Sequence, residues 1–209
     1  MNRPAATDEQ DPHDSQPRLL FATQRFRVFL MRAAEVPELQ RFFEANPEYF
    51  HTVGDQAPGP AEAQQEFEDR PPAEFSYSRH QAALIRDTQG QLSGVYVISW
   101  DLFAAGVCHI GLFLIATALH GQGAAQELSA GLEAMARAQG CRWLRLGVVR
   151  GNARAERFWA AQGFVELRQR HGVTIGRRVN SLRVMLKPLA AEHTVADYLA
   201  LVARDRPEA

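Results

Sequence analysis

The segment Ala116-Thr117-Ala118-Leu119-His120-Gly121-Gln122-Gly123-Ala124-Ala125 follows an apolar run, Val107 to Ile115, and leads into an amphipathic stretch, Gly121 to Gln139. Small residues at such a junction suit the binding of an anion. The first turn of a helix exposes unpaired N–H groups and a partial positive charge. A phosphate can rest on those amides where no side chain blocks its approach, and bulk at 121, 123, 124 or 125 would block it. A glycine pair can also serve tight packing alone, so this stretch by itself leaves both readings open. Two other nucleotide patterns fit poorly. The dinucleotide fingerprint G-x-G-x-x-G needs a third small residue where Gln126 stands, and the acid expected about 20 positions later is missing. No Gly-Lys-Ser/Thr of a Walker turn occurs.

The elements around this turn follow from apolar spacing. Val107 to Ile115 has the length and branching of a strand buried on both faces. In the helix after it, Leu128, Leu132, Met135 and Ala136 share a face, and Gly140 stands where a C′ glycine belongs. Trp143 to Val149 reads as a strand with Leu144, Leu146 and Val148 on one side; Asn152 to Gln162 reads as a helix stopped by Gly163. Upstream, a strand over Phe26 to Met31 precedes a helix that starts near Pro37 and ends before Asn46-Pro47. Residues 51–60, with two Gly and two Pro, read as a loop, and Ala61 to Asp69 as a short helix. Ala82 to Arg86 and Leu92 to Trp100 form a hairpin about Gly90. Phe164 to Arg170 and Ser181 to Leu186 form a last antiparallel pair around a polar segment, and Glu192 to Ala203 a short helix. This order predicts a mixed α/β sheet. Residues 1–23 read as a disordered tail, 24–190 as the domain, and 191–209 as a C-terminal helix and tail.

Composition narrows the functional classes. The formal net charge of −1 removes the electrostatic footprint of a nucleic-acid binder. No apolar run approaches the roughly 20 residues of a membrane span, and no polybasic membrane signal occurs. Cys108 and Cys141 sit in apolar stretches and read as buried thiols of a cytoplasmic protein; two thiols unaided make no zinc site, so no metal is expected.

Two spaced blocks resemble the GNAT (N-acetyltransferase) superfamily. Its main motif, Arg/Gln-x-x-Gly-x-Gly/Ala, reads here His120-Gly121-Gln122-Gly123-Ala124-Ala125, with His120 departing at the first position. A second pattern, N-x-x-A followed by G-F, reads Asn152-Ala153-Arg154-Ala155 and Gly163-Phe164. The ending Val184-Met185-Leu186-Lys187 is similar to the family's last strand. Asn46-Pro47-Glu48-Tyr49-Phe50, with Pro71-Pro72 and the Phe158-Trp159 helix, resembles a bacterial GNAT subgroup.

The resemblance implies a six- to seven-stranded, mostly antiparallel sheet with helices on both faces. It implies acetyl-CoA as cosubstrate, a primary amine of a small molecule or amino-acid-like compound as acceptor, direct attack on the thioester and, at the family level, a homodimer. Main-chain groups of Leu114, Ile115 and Ala116 would pair with the pantetheine arm, with an N–H near Ile115 holding the oxyanion. Amides of Gly121 to Gln126 would hold the diphosphate. Asn152 would contact the arm, or cap its helix; Ala155 belongs to the same pattern, and Phe158 would line the arm. Where many members place a tyrosine as general acid, this chain has Trp159, whose indole N–H donates a hydrogen bond but supplies no proton. Tyr49, Tyr77 and Tyr96 are substitute donors. His109, Asp101 and Glu48 are the candidate bases, and His109 shares strand parity with Gly111, Phe113 and Ile115. Opposed to enzyme function is an acyl-CoA-binding module of the same fold without transfer.

Overall fold

The computed structural model describes residues 17–207. The tail expected over residues 1–23 lies outside them as far as residue 16. Its last part is not a tail: Leu19–Ala22 is a strand, β1, at the edge of the sheet. Phe21 holds it there, meeting the glycine gap at Gly131 and the Tyr96 ring at 6.2 Å.

After β1 come β2 (Phe26–Leu30), three helices α1 (Val36–Ala45), α2 (Glu48–Gly54) and α3 (Glu62–Glu68), then β3 (Arg79–Asp87), β4 (Leu92–Trp100) and β5 (Val107–Ile115). The chain continues as α4 (Ala124–Ala138), β6 (Trp143–Val149), α5 (Ala153–Ala161), β7 (Val165–Ile175), β8 (Arg178–Pro188) and α6 (Val195–Leu201). Among the described residues the sheet has eight strands in the order β1-β2-β3-β4-β5-β6-β8-β7, one or two more than expected. Only β5 and β6 run parallel.

Two segments differ from their sequence reading. Residues 51–54 belong to α2, because the Gly and Pro that suggested a loop begin only at Gly54. Phe50 and Val53, three apart, are both buried, and Phe50 meets Phe43 edge-on at 5.0 Å. The polar residues 171–180 continue β7 and β8 as an exposed hairpin arm closed at Gly176. Apolar one-sided burial supplies the alternation that a sequence reading needs, and this arm lacks it: its one buried residue is the polar Asn180, which donates to Val53 O of α2.

Helices cover both faces. Leu128, Leu132 and Ala136 of α4 and Trp159 of α5 pack with Ile85, Tyr96, Ile110 and Leu146. Leu39, Phe42, Phe43 and Phe50 pack on the opposite face with Leu84, Val95, Leu112 and Leu114. Each such side chain is worth about 1.5–3 kcal/mol when fully buried. A third cluster around Trp143, Leu186 and Tyr198 seats α6.

Candidate active site

The parallel pairing that joins β5 to β6 covers only Val107–Ile110 against Trp143–Leu146. Beyond it β6 stays with β8 through Val149, while β5 stays with β4 through Ile115. The two strands therefore part, and a cavity of about 940 Å³ opens in the fork. Residues 111–115 of β5 have no strand on that side. The Ala116 N–H is donated to Ser93 O on β4 (2.8 Å). Main-chain groups alternate in direction along a strand. Leu114 thus shares the β4-facing side with Ala116, and the main-chain groups of Phe113 and Ile115 face the fork.

The turn after β5 lies at the end of this cavity. Gly121 (φ +76°) and Gly123 (φ +75°) are left-handed, which explains glycine at both positions. Protein packing does not: a Cβ at Gly121 would meet nothing within 4 Å, and one at Gly123 only the Arg25 guanidinium at 3.8 Å. The ladder of α4 starts with Glu127 N–H on Gly123 O, and no side chain caps the helix. The N–H groups of Gly121, Gly123, Ala124, Ala125 and Gln126 have no acceptor among the described residues. Arg25 braces the turn from behind, bonding Gln122 O (3.2 Å) and Glu127 (2.6 Å).

The cavity wall carries Leu114, Ile115, His120, Gly121, Gly123, Ala124, Ala125, Gln126, Asn152, Ala155, Phe158 and Trp159, together with Glu48 and Tyr49. Two of the expected cofactor contacts are not on it. Ala116 uses its N–H on Ser93 and its carbonyl on Leu119, and Gln122 turns its N–H to Leu119 and its carbonyl to Arg25. Asn152 caps α5, accepting from Ala155 N–H at 3.2 Å.

His109 and Asp101 are also off the wall. The parity that aligned His109 with Phe113 and Ile115 fails at a β-bulge, since Val97 opposes Leu112 and Ile98 opposes Ile110, leaving Gly111 unopposed. An inserted residue reverses every side chain beyond it. His109 therefore lies on the face away from α4, with Nδ1 3.2 Å from both the carbonyl and the guanidinium of Arg145. Burial, then the Arg145 charge, lowers its pKa to about 3. Asp101 ties down its own loop, accepting from Gly106 N–H (2.7 Å) and Ser78 Oγ (2.5 Å).

His80 shares the fate of His109: burial, then Arg70, lowers its pKa to about 4, and its Nδ1 meets Ser99 at 2.8 Å. Both rings stay neutral in the folded chain at pH values where the unfolded chain, with histidine near 6.5, binds protons. The unfolded state then holds more protons, so stability rises with pH between about 3 and about 6.5 and is level above that. Urea midpoints are expected to fall as pH drops below about 6.5, and less steeply for His109→Gln. Equal slopes for wild type and variant would contradict this.

Three cavity residues form a charged bridge that the sequence reading did not foresee. Arg154 of α5 pairs with Glu48 of α2 (3.1 Å) and contacts His120 Nδ1. Burial, then the Arg154 charge, lowers the pKa of His120. The neutral ring accepts rather than donates at Nδ1. Tyr49 is half-buried near Glu66 and Glu62, and its hydroxyl pKa is raised above 10, by desolvation first. Burial likewise lifts the Glu66 carboxyl to about 7. Gly111, Gly147, Asn46 and Thr52 also line the wall. A glycine inside a strand pattern was the available signal for Gly111 and Gly147; Asn46 and Thr52 gave none.

A model of the acetyltransferase (GNAT) family matches residues 39–164. The chain belongs to this family. Curated protein sequences give no significant match. Among solved structures, the GNAT chain resembles an acetyltransferase from Thermus thermophilus at TM-score 0.62 and 22% identity, covering 78% of this chain and 96% of that one. Spermidine N-acetyltransferase from Vibrio cholerae, in complex with CoA and spermine, gives 0.60 and 14%, covering 78% and 95%. The ribosomal-protein-S18-alanine N-acetyltransferase from Escherichia coli gives 0.56 and 13%, covering 81% and 98%. These identities establish a shared GNAT fold, and no more than the fold. No helix among the described residues is long and apolar enough to cross a membrane.

Proposed function

We propose that this chain transfers an acetyl group from acetyl-CoA to a primary amine of a small or amino-acid-like molecule by direct attack. The observation that carries the reading is the row of amides at Gly121 and Gly123 to Gln126. They lie bare of partners, and glycine at 121 leaves the approach to them open. That cradle fits a diphosphate, and the fork beyond it fits an extended arm. The bound thioester supplies an activated acyl group.

The chain's own residues do the rest. The α4 terminus holds anionic charge with its dipole and its free N–H groups. Main-chain N–H groups of β5 that face the fork, at Phe113 and Ile115, serve as donors to a carbonyl oxygen. Holding both reactants in one cleft supplies much of the rate. An acceptor amine with a pKa near 10 arrives protonated; in this reading Glu48, a carboxylate on the cavity wall, takes that proton, directly or through water. Tyr49 remains protonated, and its raised pKa makes it a poor proton source for a thiolate whose own pKa is about 8.5. Trp159 is 7% exposed and packs on Phe158 and Phe164 as part of the core. Tyr77 and Tyr96 are not on the cavity wall, so in this reading the thiolate leaves unprotonated. Cytoplasmic action, from the two buried free thiols Cys108 and Cys141, and a homodimer, by family likeness, belong to the same reading.

Trp159, standing where a phenol is expected, favours one other reading: an acyl-CoA-binding module without transfer. A thiol-release assay with acetyl-CoA against amines, amino acids and peptide N-termini, run beside calorimetry with CoA, separates the two. Acceptor-dependent release supports transfer. Tight CoA binding with no release across the panel supports the binding module, and no CoA binding overturns both.

A further inference from the structure

Gly111 and Gly147 are the first residues past the last β5–β6 pair, Ile110 with Leu146, one on each arm of the fork. A glycine inside a strand costs roughly 0.5–1 kcal/mol relative to alanine, so its presence calls for a cause. Backbone conformation does not demand glycine: neither residue has a positive φ, and the bulge at Gly111 is therefore not of the left-handed kind that requires one. Crowding by protein is not the cause either. A Cβ on Gly147 would find Leu182 Cδ1 at 3.7 Å as its nearest neighbour, and one on Gly111 would find Val97 O at 3.6 Å, both ordinary contacts. Other glycines in regular elements do have such a cause: a Cβ at Gly94 would strike Leu114 O at 2.5 Å, and one at Gly131 would strike Phe21 at 2.6 Å. What Gly111 and Gly147 share is the cavity, whose wall includes both. Both are also exposed, although they lie in central strands.

Their place in the fork says which part of a ligand they would meet. The bare amides follow the C-terminal end of β5, and the fork narrows from there toward Ile110 and Leu146. A ligand with its phosphates on the amides and its arm along the fork brings its far end, the acyl group, to the vertex. We propose that Gly111 and Gly147 set the acyl length this site admits, and that the space they leave takes acyl groups longer than acetyl. This rests on the CoA reading above and deepens it.

The test is calorimetry of the whole chain with free CoA, acetyl-CoA, propionyl-CoA, butyryl-CoA and hexanoyl-CoA. For wild type, acetyl-CoA and butyryl-CoA are expected to bind within about threefold of each other. Gly147→Val is expected to keep free CoA and acetyl-CoA within about threefold of wild type and to weaken butyryl-CoA about tenfold or more, since methylene fit in an apolar pocket discriminates by factors of about 10–200. Gly111→Ala and Gly147→Ala are expected to fall between. Valine suits a strand, and the urea midpoint of each variant checks its fold. Wild type that already rejects butyryl-CoA by about tenfold or more relative to acetyl-CoA overturns the inference. So does a Gly147→Val variant that loses free CoA as severely as butyryl-CoA. The wild-type series decides the matter even if the valine variant does not fold. Failure to bind free CoA overturns the function itself, whereas binding of CoA without tolerance of length overturns only this inference.

Discussion

Replacing Gly123 with valine is expected to raise the dissociation constant for CoA at least about 100-fold, or about 2.7 kcal/mol. Gly123 sits at φ +75° immediately before α4. A β-branched residue held there costs on the order of 1–3 kcal/mol of strain, which the turn can relieve only by rotating the amides that follow. Hydrogen bonds from those amides to a charged group are worth about 1.5–3 kcal/mol each, so misdirecting two of them accounts for the loss. Gly140→Val is the control. That glycine has the same backbone sign (φ +80°) and the same open surroundings, but it follows the other end of α4 and is off the cavity wall. It should show the strain in its urea midpoint and leave CoA affinity unchanged. Unchanged affinity in Gly123→Val, measured by calorimetry, would remove the amide turn from the site.

The second large effect concerns stability. Arg145 on β6 and Asp205 beyond α6 form an ion pair at 2.6 Å with 5% and 1% of their side chains exposed, and the Tyr198 hydroxyl donates to the same carboxylate. Burial opposes ionisation of Asp205, but the Arg145 bond and charge, with the Tyr198 hydroxyl, outweigh it and hold the pKa below the usual carboxylate value. Such a group contributes stability above the unfolded carboxylate pKa and loses it as pH falls through the lower folded value. Asp205→Ala leaves a guanidinium buried without its partner, and urea unfolding at neutral pH should register a loss of about 3–5 kcal/mol. Replacing both partners, Arg145→Met with Asp205→Leu, should recover most of that loss, because no buried charge then remains. A single variant within about 1 kcal/mol of wild type would show that the pair is not dry.

The sequence disclosed those parts of the site that depend on the backbone. Gly121, Gly123, Asn152 and Gly163 are required by local conformation or capping, and each stands where its role could be read. The central strands and α4 were legible because burial imposes a period on their apolar residues. His109 was misplaced because its reading assumed an unbroken alternation and passed over the glycine at 111 as the mark of a bulge. The Glu48–His120–Arg154 bridge joins residues 34 to 106 positions apart in the chain, a proximity that no local pattern encodes. The β7–β8 arm and β1 were missed because one is polar and rests on α2 through hydrogen bonds, not through a row of apolar side chains, and the other is a four-residue edge strand.

The placement of α2 has a consequence of its own. One bank of the fork is tied to the residue that ends α1, two positions before α2, through Asn46 Oδ1, which accepts the Thr117 N–H at 2.8 Å. The other bank reaches α2 through the carbonyls of Thr52, Val53 and Gly54, which accept from Arg178, Asn180 and the Arg177 N–H. A helix of seven residues, about 10 Å long at 1.5 Å per residue, thus acts as a strut between the two banks. Its length gauges the opening. One inserted residue would lengthen the strut by about 1.5 Å and turn Glu48 and Tyr49 by about 100° relative to the far anchor, swinging both side chains off the aperture they border.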